Sequence, residues 1–379
     1  MGTSCIVCQK AELEFPGVYG SLPRVGSDSR PLPPGGGILG QCMTCGTVQK
    51  VINDAYRAEC KAIYASYVMY GQSAESAEPK VFDGRPNLRS VKLVCAITRS
   101  MALPVAGSLL DVGCGNGNLL RSFKSAHPGW KLTGLELDGR HREAVAAICG
   151  GSSLRTGQLA DVTGRFDLIT AMHVLEHMVD PVEFLCQIRE RLTPDGAAIV
   201  QLPLWQKNPF DLVVADHAVH YNADALCRVL NRAGFRPVFL SDGIIPRELT
   251  VIARPGKGSL DTKKTDGPSL DAALGWLSRV SALAAQAMNG AGKKYFGIFG
   301  TGNAAMWTTK ALAGVNFYVD EDPTRQGINL LTGKQVYAPE KVPEGSTVFI
   351  SLPPDLSESI KTRLRHLPIN WLTTPPLEN

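Results

Sequence analysis

The stretch SLLDVGCGNGNLL, Ser108 to Leu120, runs from a short apolar strand through Asp111 into a turn with glycine at 113, 115 and 117, and continues as the amphipathic run NLLRSFKSAHPGW. Strand, glycine turn and helix in that order make a cradle for a nucleotide, because a turn lacking Cβ atoms lets the backbone approach a ligand closely. The glycines follow an aspartate with the spacing G-x-G-x-G rather than G-x-G-x-x-G. The next apolar run, WKLTGLELD, ends at Glu136.

An acidic side chain at the end of a second strand accepts hydrogen bonds from both ribose hydroxyls, each worth roughly 1.5 to 3 kcal/mol when the acceptor is charged. Asp111 beside the turn would repel a diphosphate but suits a cation. The pair therefore points to S-adenosylmethionine, with its sulfonium and ammonium, rather than NAD. Asp111, Gly113, Gly115, Gly117, Glu136, Leu137, Leu159 and His173 form the expected cofactor shell. A plain tight turn in a parallel sheet is the bland alternative.

Working outward, FDLITAMHVLEH reads as a strand reaching its edge at His173, with Glu176 and His177 just beyond. DPVEFLCQIRERL reads as a helix with Asp180 as N-cap and Pro181 at its first position, followed by the buried strand of TPDGAAIVQLPL. Repeated strand-helix units predict an α/β, doubly wound, Rossmann-like parallel sheet whose ligands sit beyond the carboxyl ends of the strands. After the polar segment RPGKGSLDTKKTDGPS and a helix from Leu270 to Met288, YFGIFGTGNAAMWTTKAL repeats strand, glycine turn and helix with Gly300, Gly302 and Ala305. A further strand ends at Asp320, Glu321 and Asp322. A smaller Rossmann-like unit is expected there, with a purely structural lobe as the alternative.

The N-terminal segment differs. Cys5 and Cys8 in CIVC, and Cys42 and Cys45 in CMTCG, flank a Gly- and Pro-rich stretch with little core of its own. Two C-x-x-C knuckles complete a tetrahedral S4 shell with bonds of about 2.3 Å, so a structural zinc ion is expected, whose binding would fold the segment. The rival, a redox pair, lacks a strand and helix around either motif. The other six cysteines are scattered in apolar or helical patterns, as small core residues are. Between 51 and 103 the pattern is helical, with Pro86 suited to a first helical turn. Tyr64, Tyr67 and Tyr70 lie three apart before Gly71, which makes a half-buried stripe the ordinary reading and Tyr70 a candidate pocket residue.

Composition sets the outer bounds. With 379 residues, 44% of them hydrophobic, the chain has material for two or three domains. Its 39 basic and 35 acidic residues are spread without a dense basic block, so neither nucleic acid nor a membrane is the expected partner. No apolar run approaches the roughly 20 residues that span a bilayer, and the N-terminus does not read as a secretory signal, so a cytoplasmic protein is expected. The oligomeric state is not legible.

FDLVVADHAVHYN, Phe210 to Asn222, holds Asp216, His217, His220 and Tyr221 in a segment that is neither helical nor alternating. The spacing fits a proton-transfer site, a metal site of the form D-H-x-x-H, or a solvated loop. The order of C-x-x-C pairs, LLDVGCGNG, HVLEHMVDP and the DH…Y segment resembles the zinc-containing, three-domain class I methyltransferases of nucleotide-linked deoxysugar biosynthesis, typified by the C-methyltransferases acting on TDP-sugars. The resemblance covers nearly the whole chain. It implies a zinc module over 1–55, a helical connector and active-site cover over 56–105, and a methyltransferase domain over 106–255. A linker and helix over 256–291 and a substrate-binding lobe over 292–379 follow.

The resemblance further implies methyl transfer to carbon or oxygen of a nucleotide sugar, with His217 as general base and Asp216 as its orienting partner. Tyr70 and His220 would stand beside them, and Tyr67, Tyr221, Gly300, Gly302 and Asp320 would face the substrate. Val214 and Ala215 stand where the family carries Tyr-His, which removes two groups that would orient a sugar. An RNA methyltransferase using the zinc module as a clamp, and a non-catalytic scaffold, are the competing readings.

Overall fold

The computed structural model describes residues 4–10, 13–32, 35–65, 80–82, 86–149, 153–258, 260, 267–291, 295–312 and 314–378. Tyr67 and Tyr70 lie outside these residues. At its centre is a seven-stranded sheet, labelled here in chain order: β1 (Ser108–Val112), β2 (Lys131–Glu136), β3 (Leu154–Thr156), β4 (Phe166–Met172), β5 (Leu192–Pro203), β6 (Phe235–Ser241) and β7 (Glu248–Pro255). Their spatial order is β3-β2-β1-β4-β5-β7-β6, parallel except for β7, which is inserted antiparallel between β5 and β6.

The strands alternate because both faces are covered. Leu109, Leu168 and Ile199 face one core, with Leu93, Val94 and Ile97 of α2 (Arg89–Ser100) and Leu119, Leu120 and Phe123 of α3 (Asn118–Ala126). Their neighbours Leu110, Ile169 and Val200 face the other, with Phe184, Leu185 and Ile188 of α5 (Pro181–Glu190) and Leu226 and Val229 of α6 (Ala223–Arg232). Asp180 caps α5 by accepting from Glu183 N at 3.0 Å. Pro86 opens no helix. Pro86–Leu88 pairs antiparallel with Lys80–Phe82, and α2 begins at Arg89, Pro being tolerated at the first residue of a strand.

The Cys-rich segment pairs Arg24–Val25 with Pro31–Leu32 by itself, while its larger sheet gains a strand from outside. Its strands Leu13–Glu14, Leu39–Cys42 and Val48–Lys50 are completed by Val219–His220, which pairs antiparallel with the last of them. Helix α7 (Leu270–Ala291), expected as part of a linker, is a core element. Trp276, Leu277 and Val280 are fully buried in a cluster shared by Tyr19, Val48, Phe210, Val214 and the C-terminal residues Ile298 and Trp307. Phe210 meets Trp276 and Trp307 edge-on at 5.3 and 5.4 Å between ring centroids, contacts worth about 0.5–1.5 kcal/mol each beyond their buried area. The C-terminal sheet has six strands, with a parallel core in which Phe296–Phe299 lies between Phe317–Val319 and Thr347–Ile350. Among the described residues no helix is long and apolar enough to cross a membrane.

Candidate active site

β1 ends at Val112, and the turn after it holds Gly113, Gly115 and Gly117 at φ of +70°, +53° and +81°. A Cβ at Gly113 would stand 2.6 Å from Val174 Cγ2 and one at Gly117 2.7 Å from the tip of Ile148, which could move aside, so it is above all the positive φ that calls for glycine at both. Gly117 is the N-cap of α3 and lies off the cleft that Gly113 and Gly115 line. Glu136, at the end of β2, braces the turn: Gly115 N donates to its Oε1 at 2.6 Å and Leu137 N to its Oε2 at 3.2 Å. A carboxylate accepts about four hydrogen bonds, which leaves lone pairs for a ribose. Asp111 is buried and accepts from Thr170 Oγ1 at 2.6 Å. Burial pushes its carboxyl up to about 7. Leu137, Leu159 and His173 also line the cleft, His173 with a left-handed φ of +56°.

The histidines lie at the carboxyl edge of the same sheet. His217 Nδ1 is 2.7 Å from Asp211 Oδ1, while Asp211 Oδ2 is 2.8 Å from His220 Nδ1. His220 Nε2 is 2.8 Å from the Nζ of Lys50, which also donates to Leu212 O at 2.9 Å. Asp211 is therefore the orienting partner of His217, and Asp216 is not. Asp216 accepts from Ser27 N at 2.8 Å and Ser27 Oγ at 2.6 Å, and its Oδ2 is 3.4 Å from His177 Nδ1. The reason is backbone direction: Ala215 N donates to Val25 O, which turns the Asp216 side chain toward the N-terminal segment.

Charge follows this pairing. Burial opposes ionisation of both aspartates, but His217 and His220 hold Asp211, and His177 with Ser27 holds Asp216, well below the usual carboxylate range. Burial likewise disfavours a charged His177, yet Asp216 lifts it to about 9. Burial, then the neighbouring Lys50, push His220 down to about 4. Glu176, 1% exposed, lies 3.2 Å from His173 Nδ1 and is held ionised by it against the penalty of burial. His173 Nε2 lies 3.4 Å from Glu248, which pairs with Arg89 at 2.6 Å.

Several expected residues take other roles. His220 does not face the cleft. It is buried, and the cap of α6 is Asn222, whose side chain accepts from Ala225 N at 2.8 Å. Tyr221 points into the core between the sheet and α6, off the cleft. Asp320 is spent inside the C-terminal lobe, accepting from Thr301 Oγ1 at 2.8 Å and Asp322 N at 3.0 Å. Gly300 and Gly302 do face the cleft, together with Arg325, whose Nη1 is 3.4 Å from Thr301 Oγ1.

The cleft of about 1110 Å³ runs between these parts, lined by Gly113, Glu136, His173, His177, His217 and the turn at Gly300. Away from it, Cys5, Cys8, Cys42 and Cys45 converge. The Cys5–Cys45 and Cys8–Cys42 Sγ pairs are 3.6 Å apart, and all four atoms lie within 4.8 Å of one another. Metal–sulfur bonds of ~2.3 Å give a tetrahedral edge of about 3.8 Å, so these four thiols fit one ion. Ligand-type atoms of Glu176, His177 and His217, and of Asp211, His217 and His220, also come within 4.8 Å. In the second group the carboxylate is already shared between the two rings. The D-H-x-x-H reading fails at its first residue, since Asp216 is turned toward Ser27 and it is Asp211 that meets both rings.

The sheet order, the glycine turn and the acidic end of β2 lie in the part of the chain that resembles methyltransferase domains. Residues 88–239 match the family model described as Methyltransferase domain, Methyltransf_23. The ubiquinone biosynthesis O-methyltransferase of Caulobacter sp. (strain K31) is 34% identical over 100 residues, 24% of this chain and 39% of that protein. The mitochondrial protein of that name from Saccharomyces cerevisiae is 35% identical over 95 residues, 23% and 30% of the two chains. The one from Cereibacter sphaeroides (strain ATCC 17029 / ATH 2.4.9) is 29% identical over 163 residues, 37% and 64%. The chain thus spans between 30% and 64% of the length of these curated relatives. Among solved structures, the mitomycin 7-O-methyltransferase MmcR aligns with a TM-score of 0.39 at 19% identity over 44% of this chain and 53% of that one.

Proposed function

We propose that this protein transfers a methyl group from S-adenosylmethionine to carbon or oxygen of a small acceptor, a nucleotide-linked sugar being the substrate class, and that its four N-terminal thiols hold a structural zinc ion. One observation carries the reading: the Gly113–Asn116 turn, His217 and the Gly300–Gly302 turn with Arg325 open onto a single cleft.

Asp111 and Glu136 would hold the cofactor. S-adenosylmethionine would supply the methyl group when bound, and His217 would take the proton that the acceptor gives up. Asp211, ionised and buried, stabilises the imidazolium so produced. The second glycine turn, opening helix α8 (Asn303–Ala311), and the Arg325 guanidinium suit the phosphates of the acceptor.

Thermal-shift measurements test the proposal. S-adenosylmethionine should raise Tm, and a nucleotide sugar should raise it further. Arg325→Met should erase the second increment and keep the first. Stabilisation by NAD alone, or an Arg325→Met response equal to that of the unmodified protein, would refute the corresponding half. Incubation with labelled S-adenosylmethionine and a panel of nucleotide sugars then identifies the methylated acceptor.

A further inference from the structure

Lys50 is an amine with 0% exposure, brought to the catalytic segment by strand pairing. Val48 opposes His220 in register, and Lys50 N donates to Ala218 O at 2.9 Å, so the lysine lies beside the His220 ring although 170 positions separate them in sequence. A buried ammonium is costly unless paired with a carboxylate. Among the described residues Lys50 forms no ion pair, and its bonds go to a neutral carbonyl and a neutral imidazole.

The direction of each hydrogen bond follows from what each group can do. Asp211 is ionised and accepts only, so both imidazoles that meet it carry a proton on Nδ1. His220 has its second nitrogen 2.8 Å from Lys50; an ammonium can only donate there, and because burial and the lysine push His220 down to about 4, its Nε2 has no proton to give to a neutral amine either. His220 is then neutral, with a bare Nε2. From this chain we infer that Lys50 is a positioning residue: it occupies Nε2 of His220, keeps that ring in its Nδ1–H form, and so leaves the negative charge of Asp211 for His217, whose bare Nε2 is presented to the cleft.

The alternative shows why the lysine matters. Without it, His220 would take a proton at Nε2 and become an imidazolium in direct contact with Asp211. The carboxylate would be neutralised before His217 receives a proton, and His217 would be a weaker base. With Lys50 in place, whose amine burial pushes down to about 7, any positive charge on this side stands one residue further from Asp211. The ionisable groups around Lys50 are Asp211, Arg24, Asp216, Glu59 and His220, with the Tyr19 ring centroid 5.0 Å from its nitrogen. Arg24 and Glu59 largely cancel, paired at 2.7 and 2.8 Å. Around His220 the groups are Lys50, Asp211 and His217.

The inference deepens the proposed function, since it takes His217 as the base, but it is tested without turnover. In the full chain with ¹⁵N-labelled histidine, long-range proton–nitrogen correlation reads each ring's tautomer. The unmodified protein should show His220 and His217 as Nδ1–H with unprotonated Nε2, and His220 should hold that form between about pH 6 and 8. In Lys50→Met the midpoint of His220 should rise by one unit or more, into the range where it is charged at neutral pH. His220→Asn keeps a donor toward Asp211, and adding Lys50→Met to it should leave His217 unchanged.

A His220 found with its proton on Nε2 in the unmodified protein overturns the inference, as does a Lys50→Met variant with unmoved titration. If Lys50→Met does not fold, the unmodified protein's tautomers still decide, and Lys50→Gln, which keeps a donor toward His220 Nε2, should leave His220 as Nδ1–H; a proton on Nε2 there would overturn the inference. Failure of S-adenosylmethionine to bind would sink the proposed function while leaving these tautomers as they are.

Discussion

Glu136→Ala isolates the acidic end of β2. In the structure its carboxylate spends one bond on Gly115 N and one on Leu137 N, and its remaining lone pairs border the cleft beside the exposed Leu137. If a ribose donates both hydroxyls to it, two charge-assisted hydrogen bonds are lost at roughly 1.5–3 kcal/mol each. That sum of about 3–6 kcal/mol corresponds to a roughly 10²- to 10⁴-fold rise in Kd at 1.4 kcal/mol per decade. Glu136→Gln, which keeps an acceptor oxygen but loses the charge, should fall between. Titration calorimetry with S-adenosylmethionine and with its demethylated product measures both variants, and the two ligands should weaken alike because they share the ribose. A loss of less than about fivefold in Glu136→Ala, in protein whose Tm is unchanged, would refute the assignment of this residue to the ribose.

Three further outcomes are expected. Because burial holds the Asp111 carboxyl near 7, affinity for the cationic cofactor should fall as pH drops below about 7, by up to tenfold per unit, and Asp111→Asn should flatten that dependence in calorimetry across pH. His177 is raised from 6.5 to about 9 by Asp216, so its contribution to stability is fully present below pH 6.5 and is lost as pH rises to about 9. Denaturant midpoints should decline over that window, and His177→Gln should remove the decline. Cys42→Ser should remove one equivalent of zinc by elemental analysis. It should also lower Tm and the yield of soluble protein sharply, since metal binding of this type supplies on the order of 10 kcal/mol of folding free energy.

The cofactor half of the site was largely legible in the sequence, because strand, glycine turn, helix and acidic strand end are contiguous and each carries its own local requirement. Gly113 is fixed above all by its φ, and Glu136 by its place at the end of a predicted strand. The sequence pointed to 216–220 as a proton-transfer region, and the structure pairs its histidine differently. Asp216 stood next to His217, yet its carboxylate is taken by Ser27, and the carboxylate that meets the imidazole is Asp211. Arg89, Glu248 and Arg325 carried no signal, since each works through a partner from another element.

Amphipathic period, glycine spacing and paired C-x-x-C motifs are local properties, and they alone settled that the chain folds as a doubly wound α/β sheet with a thiol-rich head and a second glycine turn. Which side chains meet at the site was decided by contacts between distant segments. Val48–Lys50 completes its sheet with Val219–His220, Ser27 takes Asp216, and Phe210 is clamped by Trp276 and Trp307. Those contacts depend on how two cores pack around one segment, and burial gives Lys50, Asp211 and His220 properties that no local pattern encodes.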